Sequence, residues 1–339
     1  MIKFNKKVKS IALSTLTTLF LFLSVHLSQG DVNGIIDLPS LMLLISPLLA
    51  LKLNIYLKPI TLSLFDKIVN NNYKELSLMS GLLTLCLGHF LVSQGANEPS
   101  GLDYVWYGFS ASMITLAYAL IMVFIFFHNF DKNSNVEPNL NCFDQITLKK
   151  HINFRYIFSV FILWFFFIGS VNIAFFGGAA GEWHDIYGNN RNYGILFIAI
   201  IVLTSFKTDS FGYLKSLKIL FYDRTGTYDI QKVSSTIKNA KSFLIIICIL
   251  YVILLIPSMA VSNIWEFYSI TANMSITIVK LCSLYIFLAT QDSLILQNAI
   301  CQDKFNQYSS ESNLSKIYAL ILVYFGSYSF YTLLNLIRL

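Results

Sequence analysis

Nine apolar runs divide this chain, and they constrain its fold more than any other feature of the sequence. They are Ile11–Leu27, Leu38–Leu53, Leu76–Val92, Val105–Phe127, Tyr156–Phe176, Tyr193–Phe206, Phe243–Val261, Ile270–Thr290 and Ile317–Ile337. About 20 apolar residues cross a bilayer as a helix, so most of these runs have spanning length. Leu38–Leu53 and Tyr193–Phe206 are short, and cross only by including polar flanks or by tilting little. Only 12% of the 339 residues are charged, where a soluble domain carries roughly 25%. Hydrocarbon does not solvate ions, and a chain that lives in it goes without them. The expected fold is therefore all-α: a polytopic membrane protein of about nine transmembrane helices.

The basic residues orient these helices. With the N-terminus in the cytoplasm, the segments on that side hold 21 of the 24 Lys and Arg residues. Among them are Lys3–Lys9, the group from Lys52 to Lys74, Lys132 to Arg155, the group from Lys207 to Lys241, and Lys304 with Lys316. The outer loops carry Asp31, Asp37, Glu98, Asp103, Glu182, Asp185 and Glu266 instead. This asymmetry follows the positive-inside rule and predicts a multi-pass protein of a cell inner membrane with a cytoplasmic N-terminus. The net charge of +6 is accounted for by those cytoplasmic segments and is no sign of a nucleic-acid partner. The first 30 residues also have the layout of a signal peptide. Cleavage there would invert the next span against the lysines that follow it, so an uncleaved first helix fits better.

The order of runs and loops divides the chain into two four-helix halves plus one C-terminal helix. Residues 1–130 form the first four-span half, 131–155 a cytoplasmic linker, 156–300 a second and degenerate half, and 301–339 a polar segment and a last span. Both halves read span, acidic outer loop, span, basic cytoplasmic segment, span, short loop, span. At a constant offset Tyr107, Ala111 and Met113 fall on Tyr268, Ala272 and Met274. Pro59, followed by Ile60, Leu62, Leu64, Phe65 and Ile68, suggests a short helix on the cytoplasmic membrane face. The last run, from Ile317, reads either as a span or as a second surface helix.

Two stretches resemble the MotA/TolQ/ExbB family of ion-driven stator units. In Gly30–Leu48 the residues Ile36, Asp37, Pro39 and Ser40 match the start of that family's second helix. In Gly81–Lys132, GLLTLCLG (Gly81–Gly88) resembles the glycine- and threonine-bearing run of the third helix. SMITLAYAL (Ser112–Leu120) resembles the fourth. The resemblance implies a subunit packed around a partner's single transmembrane helix, which carries an intramembrane Asp, with Thr84 and Thr115 facing that helix or lining an ion path. It also implies an oligomer. The chain departs from the pattern in lacking a large cytoplasmic domain between its second and third spans. Its second half also places Ile245 and Ile276 where the threonines would map.

Four residues stand out as candidates for an ion path or a partner-helix contact: Thr84, Thr115, Lys280 and His89. Lys280 lies mid-run, where an unpaired ammonium costs at least about 2.5 kcal/mol. It either pairs with a carboxylate or substrate, or hydrogen-bonds to Asn273, Thr277 or a neighbouring helix. His89 is expected as a neutral imidazole bonded to a neighbour's backbone, or as a proton relay. The threonines can instead bond their own helix carbonyls four residues back. No Asp or Glu falls within a run, so a proton path would need a carboxylate from elsewhere. The five cysteines show no paired spacing, and Glu182-Trp183-His184-Asp185 matches no metal site. No nucleophile elbow, metalloprotease or nucleotide motif is present, so the sequence predicts neither an enzyme nor a cofactor. Three functions stay open: an ion-channel-type scaffold around a partner helix, a small-solute permease or channel working alone, and a structural membrane subunit.

Overall fold

In the computed structural model the described residues are 44–45, 62–95, 114, 116–123, 157–158, 161, 230–300 and 312–338. They are helical throughout apart from short turns, and no strand occurs among them. Four long helices carry the description: α1 (Leu62–Gly95), α2 (Ile230–Val261), α3 (Ile264–Ile300) and α4 (Leu314–Arg338). Several expected spans lie outside the described residues, wholly or in large part: the first two, the fourth except for 114 and 116–123, the fifth and the sixth. The linker 131–155 and Thr115 lie outside them too.

α1 departs from the sequence expectation. The surface helix expected after Pro59 and the third span form one helix from Leu62 to Gly95. No proline falls inside it, and the Asn70-Asn71-Asn72 stretch lowers helix propensity without breaking the hydrogen-bond ladder. At 34 residues it is about 50 Å long, well beyond the ~30 Å hydrocarbon thickness.

α2 and α3 form a hairpin, and both are long and apolar enough to cross a membrane, over Ser234–Val261 and Glu266–Ser293. The corner between them is set by a capping box. Asn263 Oδ1 accepts the Glu266 N–H at 2.9 Å, and Glu266 Oε2 accepts the Asn263 N–H at 3.3 Å. Pro257 lies inside α2 and removes one ladder bond, but the helix runs on to Val261.

α3 packs on α1 and α2, and α4 packs on α2 and α1. Their inner faces form one apolar core from Leu76, Leu82 and Cys86 of α1, Leu244, Cys248 and Val252 of α2, Ile278, Cys282 and Ile286 of α3, and Ile317, Leu320 and Tyr324 of α4. The three cysteines in it are free thiols. Stretches assigned from sequence to different halves thus pack directly on each other.

α2 is two-faced. Ser234, Lys241, Cys248, Val252 and Met259 point inward, while Ile246, Leu250, Ile253, Leu254 and Val261 are exposed along the opposite side. The exposed positions recur at helical spacing and form a continuous apolar stripe. Such a stripe is unfavourable in water and neutral in lipid.

The direction of α4 is fixed by two contacts. Asn313, at its start, lies against Glu75 of α1, and Tyr324 and Tyr328 lie against His89 of α1. The 14 residues from Glu75 to His89 rise about 21 Å, and the 11 from Asn313 to Tyr324 about 16 Å. α4 therefore runs beside α1, in the same direction and through the same depth.

Candidate functional site

Three charged side chains meet at the level where α4 begins. Lys241 Nζ of α2 lies 3.3 Å from Glu75 Oε2 of α1 and 3.2 Å from Asp292 Oδ2 of α3. All three side chains are at most 2% exposed. Burying an ion costs several kcal/mol unless it is paired and its remaining hydrogen-bond capacity is met. Here it is met closely. The Tyr285 hydroxyl donates to Glu75 Oε2 at 2.8 Å, and the Asn313 backbone N–H donates to Glu75 Oε1 at 2.8 Å. The Ser312 hydroxyl reaches Glu75 Oε1 at 3.4 Å, and the Ser234 hydroxyl donates to Asp292 Oδ1 at 2.6 Å. The Lys241 ammonium also sits 5.9 Å from the centre of the Tyr285 ring. One residue beyond Asp292, Ser293 Oγ accepts a hydrogen bond from Asn72 Nδ2 at 2.8 Å, which ties α1 to α3 at the same level.

Local sequence explains how the helices deliver these groups. Ser234 and Lys241 are seven residues apart, two turns of α2, and so share its inward face. Tyr285 and Asp292 have the same spacing on α3. Asn313 is the N-cap of α4: its carbonyl accepts the Ile317 N–H at 3.0 Å. Glu75 therefore sits where the N–H groups of that helix end are unsatisfied and the helix dipole favours a negative charge.

A second polar group lies deeper in the bundle. His89 Nδ1 and the Tyr324 hydroxyl are 3.0 Å apart, and the Tyr324 and Ser275 hydroxyls 2.9 Å apart. His89 is fully buried and stacks on the Tyr328 ring at 3.7 Å between centroids, with 9° between the planes. Tyr324 has one proton to give. Either it donates to His89 and accepts from Ser275, or it donates to Ser275 and accepts from His89. These are the two directions of one short hydrogen-bond chain linking α1, α4 and α3. Replacing Tyr324 by Phe removes the middle of that chain and leaves two buried groups short of a partner. The expected cost is about 1–2 kcal/mol in a thermal melt of the purified protein.

The residues singled out from sequence are scattered. His89 lies in the second group, bonded to the Tyr324 hydroxyl. Thr84 is buried, and its hydroxyl donates to the Ser80 carbonyl at 2.9 Å, four residues back. Thr115 lies outside the described residues. Lys280 is half-buried on α3, five residues from Tyr285 and so about 140° around the helix from it. The Thr277 hydroxyl donates to Asn273 O at 2.8 Å. Two carboxylates outside the apolar runs are nonetheless enclosed by the bundle. Glu75 and Asp292 border the apolar runs and read from sequence as solvated cytoplasmic residues, yet both are buried. Sequence reasoning missed them along with Lys241. The available signal was that acidic and basic residues end three different runs on the same predicted side.

No family model matches the chain, and neither a curated protein nor a solved structure matches it.

Proposed function

We propose that this protein is an ion-channel-type subunit of a cell inner membrane, with about nine spans and a cytoplasmic N-terminus, built on a scaffold resembling the MotA/TolQ/ExbB family. The observation that carries this reading is the Glu75–Lys241–Asp292 cluster, buried among four helices of which α2 and α4 expose large apolar side chains on their outer sides. Ionisable groups at such a place are expensive, and their usual use is to handle ions or protons. The Ser275–Tyr324–His89 chain supplies a second polar station farther along the same helices. The family resemblance assigns the carboxylate to a partner's helix. Here Glu75 and Asp292 lie within the chain itself, which lessens the need for a partner to supply one. The full set of donors around Glu75 favours a second reading, a structural membrane subunit in which the cluster only fixes helix packing.

The test is proton uptake into liposomes containing this chain alone, followed with an internal pH dye under an imposed gradient. Uptake above protein-free liposomes is expected. It should vanish in the charge-free variant Glu75→Gln/Lys241→Met/Asp292→Asn, provided that variant elutes as a folded species. Equal uptake by the two proteins, above that of protein-free liposomes, would sink the ion-handling reading. Should the chain alone be silent, gentle solubilisation decides between the remaining forms. A stoichiometric single-span partner bearing a membrane Asp supports the scaffold, and its absence leaves the structural subunit.

A further inference from the structure

α4 approaches the bundle with a face that is apolar except at two points. Its inward side chains are Ile317, Leu320, Ile321, Tyr324 and Tyr328. In lipid that face gains little by leaving its surroundings, because acyl chains are as apolar as leucine. Packing and hydrogen bonds therefore decide whether the helix docks. Two of those bonds join the start of α4 to Glu75, from the Asn313 N–H and the Ser312 hydroxyl. Another lies deeper, between Tyr324 and His89, with Ser275 on the far side of the tyrosine. Lys316 also reaches Ser242 of α2, at an exposed position where such contacts contribute little.

Glu75 thus divides its two oxygens between two tasks. Oε2 takes Lys241 and Tyr285, inside the bundle. Oε1 takes the N-terminus of α4. Hydrogen bonds to an ionised carboxylate are about twice as strong as neutral ones, so the hold on α4 depends on the charge of Glu75.

We propose that Glu75 is a charge-dependent latch for α4. While it is ionised, it holds the N-terminus of the helix and keeps Tyr324 against His89. When it is neutralised, the start of α4 is released and the Ser275–Tyr324–His89 chain opens with it. The groups facing Glu75 are Lys241 of α2, Tyr285 of α3, and Ser312 and Asn313 at the start of α4. Asp292 of α3 shares Lys241 with it, and Lys74 precedes it on its own helix. A proton that reaches Glu75 competes first with Lys241, so the latch answers to the charge balance of the whole cluster. The proposal does not require that any ion crosses the membrane.

The natural reporter is Cys86, which is fully buried in the same core cluster as Tyr324. With Cys86 as the only cysteine, the full-length protein in nanodiscs is treated with N-ethylmaleimide at a fixed pH. Glu75→Gln is expected to raise the rate of Cys86 labelling by about tenfold or more, as local opening does for a group shielded by a released helix. A second variant, Asn313→Pro, removes the N–H that Glu75 accepts and leaves the three charges in place; it should raise labelling to a similar degree. Both changes are repeated with Cys282 of α3 as the only cysteine, to separate release of α4 from general unfolding. Faster labelling of Cys86 with Cys282 unchanged supports the latch. If Glu75→Gln exposes both thiols, the proline variant decides by the same criterion. Cys86 labelling at the parent rate in Asn313→Pro overturns the proposal.

Discussion

Lys241→Met is expected to lower stability by about 3–5 kcal/mol, the usual penalty for removing one member of a buried ion cluster. The methionine fits the space but leaves two buried carboxylates without a cation. Tyr285 and Asn313 still donate to Glu75, and Ser234 to Asp292, but a hydroxyl or an amide does not neutralise a charge. The variant should show a sharply reduced yield of monodisperse protein and an early loss of the size-exclusion peak on heating. Adding Glu75→Gln and Asp292→Asn should recover most of the loss, because a neutral hydrogen-bonded set no longer carries the desolvation cost. That recovery is what makes the prediction specific. If Lys241→Met were damaging only through lost packing, two further substitutions in the same cluster would worsen it. If Lys241→Met behaves like the parent, the three charges are solvated and the buried cluster is wrong.

The same cluster shows where the sequence was readable. The apolar runs at Phe243–Val261, Ile270–Thr290 and Ile317–Ile337 each lie within one helix, because run length and composition act locally. The hairpin corner was equally open to reading, since Asn263-Ile-Trp-Glu266 is a local capping pattern. The charges were not. Glu75 follows Asn71, Asn72 and Lys74, and Asp292 opens a polar segment, so each reads as the point where the chain leaves the membrane. Charge bias tells which side of the membrane a residue is on. It does not tell whether neighbouring helices have closed over it, which is a tertiary fact.

Lys280 shows the opposite error of attention. A lysine alone in an apolar run is conspicuous, yet it sits half-buried on a face of α3 turned away from Tyr285 and Asp292. The lysine at the centre of the site stands at the border of its run, where lysines are ordinary. His89 was legible as a polar group within a run. Its partner Tyr324 was not, because it lies 235 residues away on a helix whose course the sequence left open. Thr84 drew notice through a family likeness. Its hydroxyl bonds its own helix, the common fate of a membrane threonine.

The membrane reading itself makes a prediction of nearly the same size at Leu254. This residue is 73% exposed on the outer stripe of α2 and lies well inside the apolar run. In water, a polar substitution at so open a site changes stability by no more than about 0.5 kcal/mol. In hydrocarbon, an aspartate near the centre of a helix costs about 2.5–3.5 kcal/mol, and its side chain is too short to carry the charge out to the interface. Leu254→Asp should therefore reduce the fraction of protein resistant to alkaline extraction from membranes and the yield of folded protein with it. Ser315→Asp is the matched control. Ser315 is also exposed, but it lies in the first turn of α4, on the side where Glu75, Lys241 and Asp292 gather and the positive-inside rule places the cytoplasm. A carboxylate there faces water and is mildly favoured by the helix dipole. A large effect at Leu254 beside a negligible one at Ser315 means that lipid covers α2 and water reaches the start of α4. Two small effects would mean that the stripe on α2 is not in a bilayer, and the case for a membrane ion path through this bundle would lose its premise.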